Sequence, residues 1–202
     1  MQPFIPLLTA FIGAASAWLL AIVWSRIYDS YRRRIERHED YLAWLRGLKI
    51  ECLHVVECIK EIRDGEGGYI AIQKGKFSCP VKKLNHDFFQ QARFSVIRHP
   101  RSCKLQEPLT KAFRDVEHTN SMMEIYAKTY ERLIEKMESQ KAGGVVVDTR
   151  AAIAGILGPV ISSLNSVEKT LESLRGLVEE QQTYENQNPP ELEILRTLKW
   201  QT

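Results

Sequence analysis

The chain has 202 residues, with 28 Lys and Arg against 25 Asp and Glu, for a formal net charge of +3. So small an excess excludes a nucleic-acid footprint spread over the whole protein. The four cysteines, Cys52, Cys58, Cys79 and Cys103, form no CxxC pair, and a metal site would want more closely spaced ligands.

The first predicted element is the run from Phe4 to Trp24, FIPLLTAFIGAASAWLLAIVW, which holds no charged residue. At about 1.5 Å per residue it spans roughly 31 Å as a helix, enough for the hydrocarbon core of a bilayer. Ala15-Ser16-Ala17 resembles a signal-peptide cleavage site. No basic residue precedes the run, however, and it continues through Leu19, Leu20, Ile22 and Val23, so residues 1–24 are expected to be retained as an N-terminal transmembrane anchor. Arg26, Arg32, Arg33, Arg34 and Arg37 follow at once. The positive-inside rule then puts the N-terminus outside a cell membrane and residues 25–202 in the cytoplasm. Anionic lipid is a further partner for these arginines. Ala10, Gly13, Ala14, Ala17 and Ala21 make one small face, with pairs four apart, suited to self-association or to a partner membrane helix.

Nothing breaks the helix at Trp24. Trp24, Tyr28, Tyr31, Ile35, His38, Leu42 and Leu45 alternate by four and three, and Leu48, Cys52, Val55, Ile59 and Ile62 continue the stripe after one skip near Leu45. Residues 25–63 therefore read as a juxtamembrane stalk and first bundle helix. The helix ends near Arg63, where Asp64, Gly65, Gly67 and Gly68 supply breakers. Residues 64–80 form a loop in which Tyr69-Ile70-Ala71-Ile72 suits either a small hairpin or irregular chain.

Residues 81–184 hold the remaining bundle helices. Val81, Leu84, Phe88, Ala92 and Val96 predict the second helix, and Pro100 and Pro108 bound a turn. The third covers about Leu109–Ser139, with Leu109, Phe113, Val116, Asn120, Met123, Tyr130 and Met137 in its stripe. The cleanest repeat is the fourth: Ile153, Leu157, Val160, Leu164, Val167, Leu171, Leu174 and Val178 alternate strictly by four and three. Pro159 inside it predicts a kink or a short first segment. Leu192, Ile194, Leu195, Leu198 and Trp200 give the tail, 185–202, a short docking helix. The fold expected is all-α, one N-terminal transmembrane helix continuing into a cytosolic antiparallel four-helix-type bundle.

Residues 74–104 carry eight bases and only Asp87 as an acid. Lys74, Lys76, Lys82, Lys83, Arg93, Arg98, Arg101 and Lys104 can hold an anionic ligand, or they form a basic face matching the acidic third and fourth helices. No specific nucleic acid is implied, and no phosphate loop, nucleophile elbow or HExxH accompanies the block. Arg93 and His99 stand six apart, which resembles the Arg-x(4–6)-His signature of helical HEPN ribonucleases. That resemblance implies Arg93 and His99 as catalytic residues, although the family's usual polar residue after the Arg is here Phe94, and Arg33 and His38 match the same spacing. His54 and Cys58, four apart, are too few for a metal site. No metal or cofactor is expected. A membrane-anchored protein acting by binding, as scaffold, adaptor or sensor, is the reading the sequence favours over an enzyme. An oligomerising membrane-acting effector, as in bacterial defence systems, is the alternative.

Overall fold

The computed structural model describes residues 4–73, 83–85, 87–96, 103–141 and 149–190, and among these the side chains of 4–12, 73, 96, 137, 138, 140, 141, 149–152 and 154 fall outside the description. The chain is all-α, as its periodicity predicts. Its helices are α1 (Phe4–Asp64), α2 (Tyr69–Gln73), α3 (Asp87–Val96), α4 (Cys103–Lys141) and α5 (Thr149–Gln187), and no strand occurs among the described residues. Two compact units divide the chain, residues 44–184 and residues 1–43 with 185–202.

The larger unit is an antiparallel helical bundle. Lys49 pairs with Glu179 at 3.1 Å, and Arg63 pairs with Glu168, so α1 runs up as α5 runs down. Asp115 accepts from Thr170 at 2.8 Å and Thr119 meets Ser163 at 2.7 Å, which sets α4 against α5 in the opposite sense again. All eight stripe residues of α5, from Ile153 to Val178, are buried. Leu45, Leu48, Cys52, Val55, Ile59 and Ile62 of α1 and Leu105, Leu109, Ala112 and Val116 of α4 are buried in the same unit. Each fully buried aliphatic side chain contributes on the order of 1.5–3 kcal/mol, so these stripes hold the bundle together.

α1 ends at Asp64, as the breakers predict. Gly65 and Gly68 are required there. The Gly65 amide donates to the Glu61 carbonyl at 3.0 Å, and that of Gly68 to the Gly65 carbonyl at 2.8 Å. A Cβ on Gly65 would run into the Glu61 carbonyl oxygen, and one on Gly68 would lie 2.7 Å from that of Ile62. Arg63 seals the end. It donates two hydrogen bonds of 2.8 Å to Asp64 and others to Asn165 and Glu168.

Five expectations need correction. Tyr69-Ile70-Ala71-Ile72 is neither hairpin nor irregular loop but α2, because Tyr69 and Ile72, three apart, are both buried and Tyr69 packs edge-on against Tyr126 with centroids 5.2 Å apart. The turn expected up to Pro108 is helix from Cys103 onward. Pro108 is in the second turn of α4, where it removes one backbone hydrogen bond, and the burial of Leu105 and Leu109 outweighs that loss. α5 is likewise one helix through Pro159 and has no short first segment. The second helix starts at Asp87, so Leu84 is buried from a non-helical segment and Phe89, not Phe88, is the fully buried phenylalanine. Finally, Tyr41 is buried and Leu42 only half-buried, which moves the skip in the α1 stripe to Ile35–His38–Tyr41.

Among the described residues no helix is long and apolar enough to cross a membrane. The side chains of residues 4–12 lie outside that description, and from Gly13 the apolar run reaches only Trp24 before Arg26 and Asp29 add charge. The transmembrane span expected at Phe4–Trp24 therefore finds no support in the fold itself. The predicted tail helix, 191–202, lies outside the described residues.

Candidate functional site

The N-terminal part of α1 differs from every other helix in what its apolar side chains touch. Trp18 is 66% exposed, Leu20 69% and Trp24 72%, and Leu19, Val23, Ile27 and Tyr28 are exposed as well. From Gly13 to Ser30 only Ile22 is even half-buried. A helix that is apolar on every side normally belongs in a core or in lipid. Gly13, Ala14, Ala17 and Ala21 of the predicted small face are all exposed, and a Cβ added at Gly13 would meet nothing within 4 Å. Ala10 lies outside the described side chains.

Immediately beyond Trp24 two hollows adjoin on α1. One, of about 540 Å³, is lined by Trp24, Ile27, Tyr28 and Tyr31 together with Arg26, Ser30 and Arg34. The other, of about 380 Å³, is lined by the same Arg26, Ser30 and Arg34 with Asp29, Arg33 and Arg37. Arg32 is taken up by Glu36 at 2.8 Å, whereas Arg26, Arg33, Arg34 and Arg37 form no ion pair among the described residues.

The basic block is only partly described. Lys83 donates to Glu124 at 3.3 Å, and Glu124, which Lys128 also contacts at 2.9 Å, is held below its usual carboxylate range by those two ammonium groups, Lys128 first. The Arg93 guanidinium lies 4.7 Å from the ring centroid of Phe113 and 5.1 Å from that of Phe94. Both side chains thus serve the packing of the 83–96 segment on α4. Lys104 is exposed. Lys74, Lys76, Lys82, Arg98, His99 and Arg101 lie outside the described residues, so the Arg93–His99 pair has no described geometry.

Asn120, expected on the α4 stripe, clamps the non-helical segment at Leu84. Its Oδ1 accepts from the Leu84 amide and its Nδ2 donates to the Leu84 carbonyl, both at 2.8 Å. Cys58 Sγ lies 3.9 Å from His54 Nε2, and no group of three His, Cys, Asp or Glu side chains converges on a metal position among the described residues. Burial pushes the Cys52 thiol up to about 12, with Glu51 adding to the effect, so it is a packing group and not a nucleophile.

Sequence reading missed one charged group in the smaller unit. Glu185 is 0% exposed, and its Oε2 lies 3.4 Å from Nδ1 of His38, itself 11% exposed. The signal was present: Glu185 follows Val178 by seven residues, so it continues the α5 stripe.

No known protein family, curated protein or solved structure matches the chain.

Proposed function

We propose that the chain is a single-pass membrane-anchored protein whose helical bundle acts by binding, as a scaffold, adaptor or sensor coupled to the anchor through α1. Phe4–Trp24 crosses a cell membrane, the N-terminus lies outside, and residues 25–202 lie in the cytoplasm. One observation carries the reading. α1 is a single helix from Phe4 to Asp64, apolar and almost wholly exposed from Gly13 to Trp24 and buried along one seam in its last third. A continuous helix is an element that can carry rotation or displacement along its length.

The test joins both ends. A single cysteine is placed at Ala17, with Cys58, Cys79 and Cys103 changed to Ser and buried Cys52 left in place. Disulfide cross-linking between anchors in the membrane is then compared for the unaltered bundle and for Leu171→Ala. Loosening the bundle changes the cross-linking yield, and a Gly-Pro insertion after Asp40 abolishes that dependence. A yield indifferent to the bundle overturns the coupling.

The open backbone at Gly13 favours a second reading, an effector whose anchors oligomerise and permeabilise the bilayer. Leakage on overexpression that disappears with Gly13→Leu and Ala17→Leu supports it. No leakage removes it.

A further inference from the structure

We propose that the two adjoining hollows beyond Trp24 form a cradle for one anionic phospholipid, its headgroup phosphate among Arg26, Arg33, Arg34 and Arg37 and the start of its acyl chain against Trp24, Ile27 and Tyr28. The proposal rests on the membrane reading of Phe4–Trp24. Three features of α1 carry it. The hollows share Arg26, Ser30 and Arg34, so a charged hollow of about 380 Å³ and a more aromatic one of about 540 Å³ lie side by side on α1, both open to solvent. That division matches an amphiphile, whereas free phosphate has no use for the aromatic part. The charged compartment is lined by four arginines and one carboxylate, Asp29, so it keeps an excess of positive charge that a zwitterionic headgroup cannot neutralise. Helical side chains also tilt toward the N-terminus of their own helix. Arg33, Arg34 and Arg37 therefore lean back toward Trp24, which brings guanidinium groups down to the headgroup level. Arginine suits the task because its planar fork grips phosphate oxygens in pairs. Arg32, held by Glu36, takes no part.

The full chain is reconstituted in bilayers of equal parts phosphatidylcholine and phosphatidylglycerol and then released in gentle detergent. The lipids that remain bound are counted by mass spectrometry. Phosphatidylglycerol is expected to be enriched at least about fivefold over phosphatidylcholine, the factor that one basic residue's attraction for an anionic surface corresponds to. The triple variant Arg33→Gln, Arg34→Gln, Arg37→Gln is expected to retain the two lipids in equal amounts. Its helicity by circular dichroism keeps this comparison independent of folding, since these side chains are not in the bundle core. Equal retention by the unaltered chain, once inserted, overturns the cradle and leaves the anchor standing. A chain that never enters the bilayer overturns both. Inorganic phosphate that removes the enrichment where chloride of the same ionic strength does not identifies a free-phosphate site, and that also overturns the proposal.

Discussion

Asn120 ties residues that are 36 apart in the chain, and it does so with both halves of its amide. Asn120→Ala leaves the Leu84 amide and carbonyl without their partners, at a cost of about 1–3 kcal/mol. Chemical denaturation of the full chain checks this, and a loss under about 0.5 kcal/mol would contradict it, being no more than an ordinary surface change. The position of Asn120 on a core stripe is legible in the sequence. Its partner is not, because a backbone amide carries no residue-type signal. Cys52 gives a second residue-scale prediction. Its thiol ordinarily titrates at 9.0 and burial raises it to about 12, so the folded state holds the proton more tightly. The resulting stability is complete below pH 9.0 and is lost as pH rises from there toward 12. At neutral pH a maleimide is expected to modify exposed Cys103 at once and Cys52 only after unfolding. At the acid end, Arg63 holds the Asp64 carboxyl below its ordinary 3.8 by hydrogen bonding, so what that pair contributes is present above pH 3.8 and lost as pH falls below it. With Asp64 largely in solvent, screening keeps the contribution small.

Among the elements, α5 is where sequence and structure agree most closely. A strict four-three alternation leaves no other face to bury, and every one of its eight stripe positions is in the core. Leu164→Ala is expected to cost about 2–5 kcal/mol, because a fully buried leucine leaves a cavity. Gly176→Ala on the same helix is expected to be neutral or to stabilise by about 0.5–1 kcal/mol, since a Cβ there meets nothing within 4 Å and glycine is a poor helix former. Thermal unfolding of the two variants separates the cases. Where the sequence misled, a local rule met a stronger tertiary one. Pro108 reads as a boundary, yet the buried neighbours Leu105, Leu109 and Ala112 carry the helix through it. Tyr69 and Ile72 read as loop because five residues are too few to display a period, and Tyr69 packs against Tyr126, far along the chain.

For the molecule as a whole, the decisive element is the first 24 residues and the arginines after them. The charge asymmetry and the apolar run are legible in the sequence. The two hollows are not, because their division into a charged and an aromatic part depends on which side chains of α1 point the same way. Membrane insertion also makes a quantitative prediction: Ala14→Arg, near the middle of the run, should disfavour insertion by about 2.5–3.5 kcal/mol. The most direct measurement is extraction of the full chain from cell membranes with alkaline carbonate. The unaltered chain should stay in the membrane pellet while Ala14→Arg shifts toward the supernatant. Unaltered chain released into the supernatant would show that Phe4–Trp24 does not cross the bilayer, and the proposed anchor would fall.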